Sequence, residues 1–486
     1  MSISNKLAHV GRGETDMKVI QRWAAALLLL AASFSVWSPP AEAATAPAST
    51  KVLEEVREIV RQYYVEPVSD QVLKASTPQD IVKQLDPYSA YMTKEEYEEF
   101  LKWIDMESVG IGVMIEEDED GVHIMSVLDN GPAARAGLQP GDVIQAVDGQ
   151  PVTNETMEKV LSLIAGEEGT TVAVTVWRPS TEETVSVTIK REKIDWPNVE
   201  FKRLAGNIGY IQLYSFDETA PGEIERAIRS LSGVKGWIFD LRDNPGGYVE
   251  TAQQIAGFFP NVKQAFQLRD RSNHPEVYAA VKQPVQMAGP IRLLVNASSA
   301  SASEMLAAAV KEQKAAVLYG QRTFGKGSMQ EMFELSDGSM LKLTVAHFFS
   351  PKGTPIHHVG VKPDVPTVVG KELYAAHRDL LIGQLKGYQS LGKLRNAPVD
   401  KTFVVRFSRP LANTAVSGVK LYQLGGQEAA VTAQIRRGTE LLIKPAAKLA
   451  KGQSYLLVIP PVLKSKDGVA MKKGAYMEIQ TAASTK

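Results

Sequence analysis

Residues 292–327 read RLLVNASSASASEMLAAAVKEQKAAVLYGQRTFGKG, and the fold turns on them. An apolar run, RLLVN (292–296), leads into a serine cluster, then a helical stretch from about Ser303, then a second apolar run, AAVLYG (315–320). This alternation predicts a β-α-β unit whose two parallel strands lie side by side with a right-handed crossover. The C-terminal ends of both strands then share one sheet edge, where ligand crevices form in α/β folds. The serines sit at one end and the loop carrying Lys326 at the other. Adjacent strands run only about 4.8 Å apart, so a lysine side chain can reach across to a serine hydroxyl.

The same loop invites a different reading, because Gly320 to Lys326 fits GxxxxGK, the opening of a phosphate-binding P-loop. That motif needs Ser or Thr after the lysine to hold Mg²⁺, and it must open a helix. Here Gly327 follows, and SMQEMFELSDGSMLKLTVAHFF is broken at Asp337-Gly338 and reads as two strands. Both the metal ligand and the helix are missing. A third strand, GWIFDLRDNPGG, ends in Gly246-Gly247, where backbone N–H groups can approach a ligand closely. A serine, a lysine and free amides on one sheet edge are the parts of an acyl-transfer site, with the serine attacking, the lysine taking its proton and the amides holding the oxyanion. A lysine serves as base only when neutral, and burial favours the neutral form; Phe324 and Met329 flank the loop. The residues alone leave Ser299, Ser301 and Ser303 all open as the nucleophile.

Outward from this unit, residues 205–370 alternate helices with apolar strands, which implies a largely parallel sheet. Residues 108–178 are short strands with two helical stretches, GPAARAGL and TMEKVLSLI. Residues 51–63 put Val52, Val56, Ile59 and Val60 on one helical stripe that must dock on something, and Thr93 is an N-cap for a second short helix. Residues 371–394 read as one helix, and 400–482 as a small β-sandwich.

The chain has 486 residues, enough for three or four domains, with 44% hydrophobic and 22% charged residues as in ordinary folded proteins. Its net charge of −1 conceals polarity. Residues 51–120 carry 7 Lys/Arg against 18 Asp/Glu, a net of −11, and residues 401–486 carry 14 against 4, a net of +10. The basic end could meet an anionic cell-wall or membrane surface, or the acidic part of a second copy; two solvated surfaces are the plainer alternative. Nothing in the chain points to nucleic acid. The absence of cysteine excludes disulfides, thiolate metal sites, a Cys nucleophile and a lipoprotein anchor. Residues 18–43 read as an export signal. Lys18 and Arg22 precede WAAALLLLAASFSVW, and Ala41 and Ala43 form an A-x-A site. Cleavage after Ala43 is the first reading and retention as an anchor the second, with Met17 an alternative start. The protein is expected to work outside the cytoplasm, where ATP is scarce, which counts further against a P-loop.

NASSASASEMLAAAVKEQ, VLYGQRTFGKGSMQ, GWIFDLRDNPGG, IGYIQLYSF, LDPYSAYM and GVKPD together resemble the carboxy-terminal processing (tail-specific) peptidases over about residues 50–390. The resemblance implies a crotonase/ClpP-like core with an inserted PDZ domain. It places the nucleophile at Ser301 and the general base at Lys326, 25 residues on, with Gln330 orienting the lysine and the backbone N–H groups of Gly246 and Ala302 forming the oxyanion hole. It implies a carboxylate-binding loop at Val109, Gly110, Ile111, Gly112 and Val113, whose amides capture a peptide's C-terminus while the peptide adds as a strand. Relatives often carry Arg where this chain has Ala165 in IAGEEGT, and in some that arginine couples peptide binding to the active site. Regulation here is therefore expected to differ, to use another residue such as Arg178, or to be weak. The N-terminal helices resemble a dimerisation element. Residues 395–486 resemble an S-layer-associated bacterial Ig-like domain.

The expected layout is a signal peptide (1–43), an N-terminal helical segment (44–104), a PDZ domain (105–187), a peptidase core (188–370, with part of 44–104), a helical connector (371–394) and an Ig-like β-sandwich (395–486), an α/β and β multidomain chain. Arg242, Asp243 and Asn244 are read as turn-making residues. His357 and His358, adjacent on a strand, would point to opposite faces and be exposed rather than bind metal. EEDED (116–120) is read as a solvated hairpin tip, since EF-hand spacing is absent. The expectation is an exported serine endopeptidase that needs no metal and no cofactor and cleaves proteins through their C-termini. The alternatives are a catalytically silent PDZ scaffold or regulator and an Ig-anchored envelope adhesin.

Overall fold

The computed structural model describes residues 50–483 other than 105–106, 119–120, 129, 196–197 and 413–415, so the expected export signal lies outside the described residues. The central sheet has six strands in the order Val199–Leu204, Ile208–Leu213, Trp237–Asp240, Ile291–Val295, Val317–Gly320 and Val365–Pro366. Its first pair is antiparallel and every later pair parallel. Arg292 pairs with Val317 and Val295 with Gly320, the side-by-side parallel register expected of the β-α-β unit. The crossover is the Ala302–Glu312 helix, buried from Ala302 to Val310. An AAAV run suits that position, because small side chains let a helix lie close on a sheet. On this face Met305, Leu306 and Val310 pack with Leu293, Phe239 and Phe259. On the opposite face the Glu372–Gly383 helix lays Ala376 and Leu380 over Tyr210, Ile238, Leu294 and Tyr319. Full burial of each large apolar side chain contributes about 1.5–3 kcal/mol.

A second sheet is built around the Met340–Phe349 strand, which pairs with Ala90–Met92, Gln264–Asp270 and Ser328–Glu334. Alternation along this strand sends neighbouring side chains to opposite faces. Leu341 and Leu343 cover the Val52, Val56 and Val60 stripe of the Thr50–Tyr63 helix. Met340 packs instead into the core of the inserted unit. The N-terminal stripe thus docks on its own chain. The inserted unit is a sheet ordered Val113–Asp118, Gly121–Val127, Val143–Val147, Thr171–Arg178 and Glu183–Lys190. Its Met157–Ile164 helix is N-capped by Thr156, whose side chain accepts from Lys159 N.

The helix expected over 371–394 stops at Gly383. Gly387 takes a left-handed φ of 81°, which a continuing helix cannot accommodate. Gln389–Ala397 then becomes a strand, parallel to Ala475–Thr481. The C-terminal part contains a five-stranded sheet and a three-stranded sheet. Their side chains, Leu421, Leu457 and Ile479 from one and Phe403, Leu441 and Ile443 from the other, share a single core.

His377 joins this part to the central core. Its Nε2–H donates to Ala205 O and its Nδ1 accepts from Gly425 N–H, both at 2.8 Å, so the ring is neutral and its tautomer is fixed. Burial pushes its pKa down to about 4 from an ordinary 6.5. A base depressed in this way binds its proton more readily in the unfolded chain, so the stability it contributes is present above about 6.5 and is lost as pH falls toward 4. Chemical denaturation across that window should show a loss on the order of 3 kcal/mol in the native chain, and a shallower slope in His377→Gln.

Candidate active site

The three serines of the cluster have separate fates. Ser299 Oγ donates to Leu241 O at 2.7 Å and accepts from Asn296 N at 3.0 Å. Ser303 Oγ donates to Asn244 O at 3.0 Å. Both are buried and hold the turn against the neighbouring strand end. Ser301 is partly exposed at the N-cap of the Ala302–Glu312 helix, where it forms a capping box with Glu304, and its hydroxyl bonds no neighbouring strand end. Its backbone sits at φ 52°, ψ −115°, a conformation that L-residues rarely occupy and that costs on the order of 1–3 kcal/mol. Strain of this kind presents a side chain at a sharp strand-to-helix turn.

Gly246 packs directly on this turn. A Cβ at Gly246 would lie 2.8 Å from Ser301 Cβ and 3.0 Å from Ala302 N, and the residue's φ is +116°. Only glycine fits. Ala302 opens the helix, so its N–H has no intrahelical acceptor. The two residues expected to form an oxyanion hole are therefore side by side. The Gly246 amide, however, is turned onto Asn244 Oδ1 at 2.8 Å. Asp243 and Asn296 bond reciprocally, main chain to side chain at 3.0 Å and side chain to side chain at 2.7 Å, joining two strand ends. Arg242 pairs with Asp240 and Glu372.

The lysine loop is fastened to the serine turn by one carboxylate. Glu304, fully buried on the first turn of the helix, accepts from Ser301 N (3.1 Å), Lys326 N (2.9 Å), Gly325 N (2.8 Å) and Thr323 Oγ1 (2.5 Å). Burial pushes its pKa up to about 7 in spite of these donors. Phe324 N adds a bond to Ser299 O at 3.0 Å. The glycines of the loop are explained by contact, not by phosphate. A Cβ at Gly320 would lie 1.7 Å from Val295 O, and one at Gly327 2.3 Å from His357 N.

Lys326 is 7% exposed, yet its Nζ does not bond Ser301. It donates to Glu116 Oε1 at 2.7 Å and lies 5.0 Å from the centre of the Tyr88 ring. Glu116 belongs to the Val113–Asp118 strand of the inserted unit and is only 3% exposed. The EEDED stretch is thus not a solvated tip where it meets the core. Glu117 is partly buried, accepts from Met157 N, and is pushed up to about 8 by desolvation and by the Glu158 carboxylate. Gln330 does not orient the lysine here. It lies on a strand, where helical spacing does not apply, and its Nε2 donates to Ser328 Oγ and Thr344 Oγ1. His357 and His358 do not diverge either. They lie in a turn with ring centres 3.9 Å apart, and His357 is half-buried against His347 at 4.7 Å. Among the described residues no cluster of three or more His, Cys, Asp or Glu could hold a metal ion.

The expected carboxylate-binding residues Val109 to Val113 line one pocket together with Met114, Leu161, Ile164, Ala165, Ile194 and Trp103. Arg178 does not reach it, being held by Asp142 through two bonds of 2.7 Å and by Gly137 O. Sequence reasoning missed Glu116, Glu304 and Tyr88. Only Glu304 left a signal, as the fourth residue of a Ser-x-x-Glu capping box.

The different work of the serines is measurable by denaturant unfolding. Ser299→Ala should lose about 1–3 kcal/mol by stranding a buried carbonyl and amide. Ser301→Gly, which relieves the backbone strain, should gain about 1 kcal/mol.

Residues 207–367 match the model of peptidase family S41, and residues 123–178 that of a PDZ domain. A "Probable CtpA-like serine protease" of Staphylococcus aureus (strain bovine RF122 / ET3-1) is 36% identical over 328 residues, 66% of this chain and 65% of the relative. One of the same description from Staphylococcus epidermidis is 34% identical over 325 residues, covering 65% of each. The chain thus matches just under two thirds of these relatives' length. Among solved structures, a photosystem II D1 C-terminal processing protease aligns with a TM-score of 0.59 at 27% identity, covering 68% of this chain and 95% of that one. The chain is thus similar, over its S41-matching and PDZ-matching residues, to PDZ-bearing C-terminal processing peptidases of the serine peptidase family S41.

Proposed function

We propose that this chain is an exported serine endopeptidase that cleaves protein substrates recognised through their C-termini, using Ser301 and Lys326. The observation that carries the reading is Ser301 itself, a strained, partly exposed residue at a helix N-cap, packed against Gly246 and bound through Glu304 to the loop that bears the lysine. In the working form the neutral Lys326 amine takes the Ser301 proton as Oγ attacks the scissile carbonyl carbon. The oxyanion is received by the N–H groups of Gly246 and Ala302, the former exchanging Asn244 Oδ1 for the substrate oxygen. The Lys326 ammonium then protonates the departing amine. Water, deprotonated by the same lysine, hydrolyses the acyl-enzyme.

The name of the D1 processing protease supports substrates cut near their C-termini, and the Val109–Val113 pocket supports capture of a terminal carboxylate. The finer fold reading is a crotonase/ClpP-like core followed by an Ig-like sandwich, the latter supported by the two sheets around one core. Contact of the basic C-terminal part with a cell-wall or membrane surface, and a homodimer, belong to the same proposal. Burial of the N-terminal stripe leaves a dimer to other surfaces. A catalytically silent PDZ scaffold is the second reading, favoured by the pairing of Lys326 with Glu116 in place of Ser301.

Ser301→Ala and Lys326→Ala should each lower cleavage of an unstructured protein such as casein at least about 10³-fold while circular dichroism stays native. Retained cleavage in either purified variant refutes the pair. Labelling of Ser301 by a fluorophosphonate, read by mass spectrometry, separates an enzyme from a silent scaffold.

A further inference from the structure

The Val113–Asp118 strand is an edge of its sheet, bonded along one side to Gly121–Val127. An edge strand facing a helix is where a PDZ domain takes up a peptide as an added strand. Here that strand also lies on the catalytic centre. Met114 packs with Ala300, beside the serine, and with Phe324 of the lysine loop. Glu116, two residues on, holds Lys326 Nζ at 2.7 Å, with side chains only 9% and 4% exposed. The facing Met157–Ile164 helix does the same at a second point, where Glu158 pairs with the buried Lys342. The groove between strand and helix is partly filled from within. Phe100 is buried in the same apolar cluster as Ile111, Val113, Leu161 and Ile164, with Trp103 packed against it.

From this we infer that Glu116 is a latch on the catalytic base. Presented by the peptide-accepting strand, its carboxylate holds Lys326 Nζ away from Ser301 until a substrate's C-terminal segment adds along that strand and draws Glu116 off. Once the carboxylate leaves, Nζ is free to turn toward the serine hydroxyl. The coupling needs no arginine at position 165, because the acid sits on the moving strand itself. The latch rests on the Ser301–Lys326 reading and adds the regulation of that site.

Its test uses the mature chain, fluorophosphonate labelling of Ser301 and casein cleavage. Each is run with and without a short synthetic peptide ending in alanine, carrying either a free carboxylate or an amide. The native enzyme should label slowly alone and about tenfold or more faster with the free-carboxylate peptide, but not with the amidated one. Glu116→Gln should label at the stimulated rate without peptide and respond little to it. Glu116→Asp, which keeps the charge, should remain slow until peptide is added. The doubly substituted Glu116→Gln, Lys326→Ala chain should stay inert. A folded Glu116→Gln chain no faster than a native enzyme that itself depends on Lys326 overturns the latch and leaves the Ser–Lys reading intact. So does native labelling that is equal with and without the free-carboxylate peptide, a result that needs no variant. If neither native nor Glu116→Gln enzyme turns over under any condition, the Ser–Lys reading fails and the latch falls with it.

Discussion

One buried carboxylate organises the candidate active site. Glu304 sits on the first turn of a helix, where negative charge is favoured, and accepts from both the serine turn and the lysine loop. The parallel strands set these two segments at neighbouring sheet ends, but strand pairing fixes their position only to within a loop's freedom. Four donors converging on one side chain remove that freedom. The glycines complete the constraint, since the backbones of Gly320 and Gly246 approach their neighbours too closely for any Cβ.

Much of this was legible in the sequence because it rests on local period and spacing. RLLVN and AAVLYG are apolar runs of strand length separated by one helix, and only one topology joins them simply. The Asp337-Gly338 break likewise identified two strands where a P-loop needs a helix. The choice among the three serines was not legible from the residues. Ser299 and Ser303 differ from Ser301 only in the partners that the fold brings to them, a strand-end carbonyl for each. Gln330 shows the opposite failure. The resemblance suggested that it orients Lys326, but the chain is extended there and the amide faces Thr344.

Glu116, the first residue of the acidic run, was misjudged for a related reason. Composition reports the solvation of a segment on average, whereas the inserted unit turns this strand toward the core. Glu116 then meets a lysine 210 residues away in the chain, a pairing to which no local pattern corresponds. The helix expected over 371–394 failed on a local point, the left-handed residue Gly387. Residues Gln389–Ala397 are a strand because the C-terminal sheet supplies a partner.

The alternation along Met340–Phe349 has a bearing on maturation. Leu341 and Leu343 are kept from water by the valines of the Thr50–Tyr63 helix, while Lys342 on the other face serves the inserted unit. Any trimming of the chain from its N-terminal side must therefore halt before position 50. Erosion past that point would bare two leucines on a strand that also borders the lysine loop, leaving a sticky surface beside the candidate active site.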